Sequence, residues 1–245
     1  MDVHFRLFFN SCILSTLLSF SLTVNADVKN SSAAMLDFNF YPYLSDVNTD
    51  TVFTLNGAVK LSGRFSFFSL LNLVNQDDSE FSDTIGYYTE QNLRWQVSKG
   101  SPFDLTLQLN FRTGSDNDRY RLGARWRLND TPALKEFFSS IYLRYAVNLH
   151  AIQFDQQQGH IWQLEHAFHL GFPYWSDRIY MAGFIDQTFN ETLPDTFPSA
   201  PIVAEVQFGY RLVENFYVIG EYRLNQYRRA DVNNLAIGLE YKVLW

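Results

Sequence analysis

Arginine is the residue with the most evident chemical use in this sequence. Guanidinium side chains alternate with apolar residues in the stretch 94–144, and the set comprises Arg94, Arg112, Arg119, Arg121, Arg125, Arg127 and Arg144. A guanidinium is permanently charged and binds carboxylates and phosphates through a planar fork of donors. Side chains of this kind repel each other when they share one surface, unless water, carboxylates or an anionic solute lie between them. They therefore predict a surface that attracts anions.

Acidic residues form the second candidate group. Four of them alternate with apolar residues later in the chain, namely Glu165, Glu205, Glu221 and Glu240. Asp186 would join them, although the phase of its segment is ambiguous. We expect a basic wall formed by Arg94, Arg112, Arg121, Arg125, Arg127 and Arg144. The four glutamates should face it from a mixed wall that leans acidic, the acidic wall, in which Arg211, Arg223, Lys242 and His169 are interspersed. Two interpretations remain open: the walls guide polar or anionic solutes, or they form an ion-pair network that fills and braces the interior.

The segments that carry these residues have the period of two that is typical of a β-strand. Residues 103–112 are the clearest example, since Leu105, Leu107 and Leu109 alternate with Thr106 and Gln108. About twelve such segments are predicted, with 10 to 14 possible, at 35–43, 52–61, 64–74, 87–97, 103–112, 119–128, 141–149, 161–172, 179–187, 202–212, 216–225 and 235–245. Their lengths fit the roughly 9–11 residues that a tilted transmembrane strand needs.

The connections between these segments alternate between short turns and longer polar loops, as in membrane barrels. An even strand number places both ends of the chain on the periplasmic side. Residues 129–140 are the exception, because they form a long connection on the side where the other connections are short, with a helical turn expected at 134–138.

The acidic loop 75–86 is either a solvated loop or a site that gathers divalent cations. Thr89, Gln91 and His166 stand on the apolar parity, where a bulge or a protein contact would explain them.

The composition narrows the class of protein further. The chain has 23 Phe, 14 Tyr and 5 Trp in 245 residues, and a barrel can place such aromatic side chains against lipid. The net charge of −7 argues against a nucleic-acid partner. Cys12 is the single cysteine and lies in the N-terminal apolar stretch, so no thiol chemistry is expected after it. No His-x-Ser pair, phosphate-binding glycine loop or nucleophile elbow is present, and we expect no enzyme, no cofactor and no metal.

The N-terminal segment is predicted to be a secretory signal peptide. An apolar stretch follows Arg6 and ends before Val24-Asn25-Ala26, which fits cleavage after Ala26. The alternative is a retained membrane anchor, which the short apolar core and the interrupting Asn10 disfavour. The expected domains are therefore the signal peptide at 1–26 and one barrel domain at 27–245.

The last strand ends on an aromatic residue, with Leu239, Tyr241, Val243 and Trp245 on one parity. This ending resembles the C-terminal signal of bacterial outer-membrane β-barrels, which implies recognition by the barrel assembly machinery. The architecture resembles two twelve-stranded families, the nucleoside-specific channels and the small monomeric channels for acidic oligosaccharides. The arginines resemble the basic tracks of the acidic-sugar channels, but only one basic wall is evident here. No binding residue of either family is carried over.

The sequence thus predicts an all-β protein, a single transmembrane antiparallel up-and-down β-barrel in the cell outer membrane of a Gram-negative bacterium. Its expected partners are outer-membrane lipid, the assembly machinery and a small polar or anionic solute that passes through as in a porin. The first alternative is a structural or adhesin-like barrel with an ion-paired, closed lumen, and the second is a lipid-modifying enzyme. A secreted β-sandwich also alternates, but it would bury the apolar faces that here oppose charged ones.

Overall fold

Twelve antiparallel strands form a closed barrel in the computed structural model, which describes residues 33–42, 44, 51–75, 85–114, 118–154, 160–229 and 231–245. The strands are β1 Ala34–Phe40, β2 Thr51–Lys60, β3 Phe65–Asn75, β4 Ile85–Gln96, β5 Phe103–Arg112, β6 Arg119–Arg127, β7 Leu143–Phe154, β8 Trp162–Gly171, β9 Ile179–Phe189, β10 Ile202–Val213, β11 Phe216–Asn225 and β12 Asn233–Leu244. Each strand pairs with its sequence neighbours, and β1 pairs with β12. The predicted all-β, twelve-stranded up-and-down barrel is confirmed.

The barrel closes through the end of the chain. The backbone N–H of Ala34 donates to the carbonyl oxygen of Trp245 at 2.9 Å, and the N–H of Trp245 donates back at 3.1 Å. The register continues from there, with Met35 opposite Leu244 and Phe40 opposite Leu239. Closure leaves no strand edge unpaired, which is required where no water can bond the backbone.

The sheet is inverted relative to a soluble protein, because its polar side chains are buried and its apolar ones are exposed. On β5, Leu105 is 49% exposed whereas Gln108 is 1% exposed, and β12 alternates in the same way. The alternation that defines the strands therefore places the polar parity inside the barrel and the apolar parity outside. Among the described residues, no helix is both long and apolar enough to cross a membrane.

One strand is longer than the sequence predicts. The alternation of β7 stops at Leu149, and residues after it were expected to form a loop, but the strand continues to Phe154. The pairing register with β6 shifts between Leu122 and Ala124, so β7 contains a bulge. Gly123 permits it, because a Cβ there would collide with the backbone of β7. The bulge reverses the parity of the inward residues, so a search for a period of two does not recognise the residues after it as part of the same strand.

The polar residues of the outer parity find partners within the sheet. Gln91 donates to Thr89 at 2.6 Å, and Thr89 donates to the carbonyl oxygen of Leu70 at 2.8 Å. The hydroxyl of Tyr145 lies 2.7 Å from Nδ1 of His166. These side-chain hydrogen bonds account for Thr89 and His166, and neither residue lies at a shift of register. Gln91 retains one buried amide oxygen without a partner among the described residues.

The ends of the barrel differ. The lower end carries the start of β1, the end of β12 and the short turns, while the upper end carries the longer loops. At the lower end, β6 and β7 are joined by a 3₁₀ turn, Leu128–Asp130, and helix α1, Pro132–Ser140, so the expected helical turn at 134–138 is confirmed and longer. The predicted signal peptide, Cys12 and the acidic residues of loop 75–86 lie outside the described residues.

Candidate functional site

A cavity of about 1440 Å³ occupies the interior of the barrel. Its lining comes from inward residues of strands on every side, and all but one of the ten predicted site residues belong to it: Arg94, Arg112, Arg121, Arg125, Arg127, Arg144, Glu165, Glu205 and Glu221. Asp186 also lines it, which resolves the ambiguous phase of β9. The cavity is thus the place where the predicted basic and acidic walls meet.

Glu240 is the exception, because its carboxylate is covered. Tyr180 of β9 donates from its hydroxyl to Glu240 at 2.6 Å, and Lys242 lies 3.0 Å from the same carboxylate oxygen. The ring can lie flat along the wall because Gly209, its pairing partner on β10, has no side chain; a Cβ there would strike the ring. Glu240 is 1% exposed, so it does not face the cavity as expected.

Four arginines of the basic wall have no carboxylate within 4.0 Å among the described residues: Arg94, Arg112, Arg125 and Arg144. Two of them rest on aromatic rings instead, with the guanidinium of Arg94 5.5 Å from the ring centre of Phe68 and that of Arg112 5.2 Å from that of Tyr88. The buried Nε atoms of Arg94, Arg112 and Arg125 have no hydrogen-bond partner in the described part of the chain. An aromatic face holds a cation in place without neutralising its charge.

The other two arginines of the basic wall are bound to the barrel. Arg121 donates to the amide oxygens of Gln153 at 2.8 Å and Gln108 at 2.9 Å. Arg127 contacts Asp104 at 3.1 Å and Asp130 at 2.6 Å, so it ties β5 to the turn before helix α1. The charge of Arg127 is therefore compensated by carboxylates of the barrel. Arg121 contacts only neutral amide groups in these hydrogen bonds, which fix its position and leave its charge uncompensated.

Two carboxylates of the acidic wall, Glu205 and Glu240, are in ion pairs, and the other two are largely buried. Glu205 of β10 lies 3.3 Å from Arg223, its neighbour on β11. Glu165 of β8 lies 3.1 Å from Nε2 of His150, and Glu221 is almost fully buried. The ion pairs of Glu205 and Glu240 lie within strands β10–β12, so the charges of these two carboxylates are compensated within their own wall.

Asp186 differs from the other acids of this wall. It faces Glu165 directly across the β8–β9 pair, and its Oδ1 atom has no hydrogen-bond partner among the described residues. Two carboxylates opposite each other on a sheet destabilise it when both are ionised. Arg94 and Arg125 line the same cavity as Glu165 and Asp186, so the basic wall supplies positive charge to the space that this pair borders.

Sequence reasoning missed several residues of the lumen. His150 is fully buried at the bulge of β7, and Tyr180 covers Glu240. Glu191 and Tyr227 come from loops, where no alternation exists to assign a direction. Phe68 lines the cavity beneath Arg94. The alternation of β3 weakens at Phe68 and Leu70, and this irregularity was the signal that apolar residues of β3 face inward.

The histidines do not gather at one point. His150 contacts Glu165, His166 contacts Tyr145, and His169 stacks on Tyr180 at 5.4 Å between ring centres. Among the residues that the structure describes, no group of three or more His, Cys, Asp or Glu side chains could hold a metal ion.

No protein-family model and no curated protein matches this chain. Among solved structures, the chain is similar to the KdgM porin at 14% identity and a TM-score of 0.48, over 84% of this chain and 98% of that one. A KdgM porin in complex with disordered oligogalacturonate gives 14% identity and 0.46 over the same shares. A triple mutant of Rhodopseudomonas blastica porin gives 9% and 0.35, over 86% and 98%.

These similarities concern the fold alone. The predicted resemblance to small twelve-stranded channels is confirmed by the closed barrel of twelve strands. Sequence identities of 9–14% give no information about which solute this chain would bind.

Proposed function

We propose that this barrel lies in the bacterial outer membrane and is a passive channel for small polar and anionic solutes. The observation that carries the proposal is the set of four arginines, Arg94, Arg112, Arg125 and Arg144, that face the central cavity without a carboxylate within contact distance in the described part of the chain. Such charges are available to a solute that enters the lumen.

Isolated charges on the lumen wall favour a hydrated interior. A guanidinium without a counter-ion is expensive in a dry interior, because removing a charge from water costs several kcal/mol even after relaxation. The four arginines are consistent with a hydrated lumen, and a cavity of about 1440 Å³ offers room for water and for a small solute. Charged side chains that line a hydrated pore set its ion preference. Anions should therefore be favoured over cations of equal size.

The membrane placement rests on the outer surface. Exposed apolar side chains alternate along the strands, for example Leu235, Ile237 and Leu239 on β12. Most strands have 9 to 12 residues, close to the length that crosses a bilayer at a tilt. Exposed apolar bands of this extent are unfavourable in water and favourable against lipid. The upper end, with its longer loops, would face the outside of the cell.

The rival function is a structural or adhesin-like barrel whose lumen is closed by ion pairs. The acidic wall favours it, since Glu205–Arg223 and Glu240–Lys242 are pairs within the barrel. The unpaired arginines and the cavity favour the channel. A lipid-modifying enzyme has less support, because His150, His166 and His169 contact Glu165, Tyr145 and Tyr180 rather than a serine. The channel requires no catalytic group.

The test is the ion current through the purified full-length protein in planar lipid bilayers. We expect discrete conductance steps, and under a KCl gradient a reversal potential whose sign corresponds to chloride preference. An absence of current at every applied voltage would support the closed barrel, and a cation preference would contradict the role of the arginines. Migration of the unheated protein in a detergent gel, compared with the heated protein, verifies that the barrel is folded.

A further inference from the structure

The loop between β9 and β10, residues 190–201, folds over the upper end of the lumen. Glu191 and Leu193 of this loop line the cavity. Asn190 has the left-handed backbone angle φ of 61° and donates from its side chain to the carbonyl oxygen of His160 at 3.1 Å. A left-handed residue turns the chain sharply, and asparagine tolerates it better than most residues. The first residues of the loop are therefore directed inward rather than away from the barrel.

The far side of the loop is held as well. The N–H of Thr188 donates to the carbonyl oxygen of Pro201 at 3.1 Å and closes the base of the loop. Phe197 lies against Arg229, with the guanidinium 5.4 Å from its ring centre. Contacts at both ends fix the loop across the opening, so the position of Glu191 is determined by the fold.

Glu191 contacts two elements that are distant from β9 around the barrel. Its Oε2 atom accepts a hydrogen bond from the hydroxyl of Tyr227, just after β11, at 2.6 Å. Its Oε1 atom lies 3.8 Å from Nη2 of Arg119 on β6, three strands away. Both side chains of this ion pair are about nine-tenths buried. Burial raises the pKa of Tyr227, so its hydroxyl stays protonated and continues to donate to the carboxylate.

The ion pair belongs to a group of three arginines near the upper end. Arg112, Arg119 and Arg121 all line the cavity, and Arg119 and Arg121 on β6 pair with Asn110 and Gln108 on β5, the strand that carries Arg112. Arg112 has no carboxylate within 4.0 Å among the described residues. Glu191 is the carboxylate that the loop places against this group. Its distance of 3.8 Å from Arg119 is long for an ion pair, since charge-assisted N–H···O bonds are usually about 2.7–2.9 Å. A contact of this kind is readily exchanged for another carboxylate or a phosphate.

We propose that Glu191 is a resident counter-ion of the upper arginine group, which an anionic solute must displace from Arg119 in order to enter the lumen. This inference rests on the proposed channel function and assigns its entry site. The solute's anionic group takes the place that Glu191 occupies, and Tyr227 holds the displaced carboxylate close by. Glu191 thereby reduces anion entry and favours solutes with enough charge to compete.

The experiment compares Glu191→Gln with Asp195→Asn in planar bilayers. Both changes remove one negative charge from the same loop, but Asp195 is exposed and does not line the cavity. Citrate, added from the loop side, serves as the polyanionic probe that blocks chloride current. We expect Glu191→Gln to lower the half-blocking concentration of citrate by about threefold or more and to raise the chloride preference by about twofold, because a nearby opposing charge is removed. Asp195→Asn should leave both values nearly unchanged.

A second comparison tests whether Glu191 acts through Arg119. In an Arg119→Gln background, Glu191→Gln should have little further effect on citrate block, because the charge that both anions seek is gone. The counter-ion role would be overturned if Glu191→Gln changed the citrate block equally in both backgrounds. It would also be overturned if Glu191→Gln and Asp195→Asn had equal effects on that block. In either case the wild-type protein would still show its anion-selective current. A wild type without current would overturn the proposed function itself. The gel migration of unheated protein confirms that each variant is folded.

Discussion

The arginines of strands β4–β7 and the carboxylates of strands β8–β12 border the same lumen, but their neighbours differ. Arg94 and Arg112 lie on aromatic rings, whereas Glu205 and Glu240 lie against basic side chains of their own wall. A ring positions a charge and leaves it available, while an ion pair compensates it. Charges counted from a sequence therefore act on a solute most strongly where the fold leaves them without a compensating partner.

The largest expected effect concerns the stability of the acidic wall. Glu240→Ala leaves Lys242 without this carboxylate and removes the nearer of the two acceptors of the Tyr180 hydroxyl, the other being Gln207 at 3.0 Å. Breaking a buried ion pair on one side costs about 3–5 kcal/mol, so the free energy of unfolding in lipid vesicles, measured by denaturant titration of tryptophan fluorescence, should fall by about that amount. Conductance of the folded fraction should not change. A variant as stable as the wild type would show that this wall is not braced by its ion pairs.

The next effect concerns the ion preference of the basic wall. The double change Arg94→Gln and Arg125→Gln removes two unpaired charges from the cavity, and the chloride preference in bilayers should fall severalfold, since charges lining the pore set its selectivity. Arg64→Gln is the matched control, because Arg64 is exposed and lies over the ring of Trp95 on the outer parity. If the control and the double variant had equal selectivity, the arginines would be structural.

A smaller effect follows when one carboxylate of the acidic wall loses its charge. Glu205→Gln removes the carboxylate that lies against Arg223, and both residues line the same cavity. The chloride preference should rise by up to about twofold, because the wall gains one net positive charge. Reversal potentials measure it. A reduced chloride preference would mean that Arg223 does not face the solute. The contrast between the compensated acidic wall and the uncompensated basic wall would then be wrong.

The smallest effect concerns the ring beneath Arg94. Phe68→Leu keeps an apolar side chain of similar reach but removes the aromatic face. The loss of a cation–π contact should cost about 0.5–1 kcal/mol of stability, seen as a small shift of the unfolding midpoint, and should broaden the distribution of single-channel conductances as Arg94 becomes mobile. Phe67→Leu, on the outer parity of the same strand, is the control, and identical conductance distributions for the two variants would count against the positioning role.

The strands were predictable because alternation is a local property of the chain. Strands β5 and β11 coincide with the predicted ranges, and most others differ by one or two residues at an end. The larger differences are β1, which ends at Phe40 rather than at residue 43, and β7, whose bulge opposite Gly123 depends on another strand. A parity count along one segment contains no information about its neighbour, so the last residues of β7 were assigned to a loop.

The candidate site was predictable only in part. Nine of the ten predicted residues line the cavity, because the inward parity is fixed by the pattern of each strand. Glu240 could not be assigned correctly, since the ring that covers it comes from β9 and passes over Gly209 of β10. Glu191 could not be found at all, because a loop residue acquires its direction from contacts that lie elsewhere in the barrel.

The sequence by itself determined that the chain forms about twelve strands, which face most of them turn inward and that many charges lie on that face. A period of two dictates these features residue by residue. Only the tertiary structure decided which charges are paired, as in Glu205 with Arg223, and which have no carboxylate in contact within the described ranges, as in Arg94 and Arg112. Pairing depends on distances between side chains of different strands and loops, and those distances exist only once the barrel has closed.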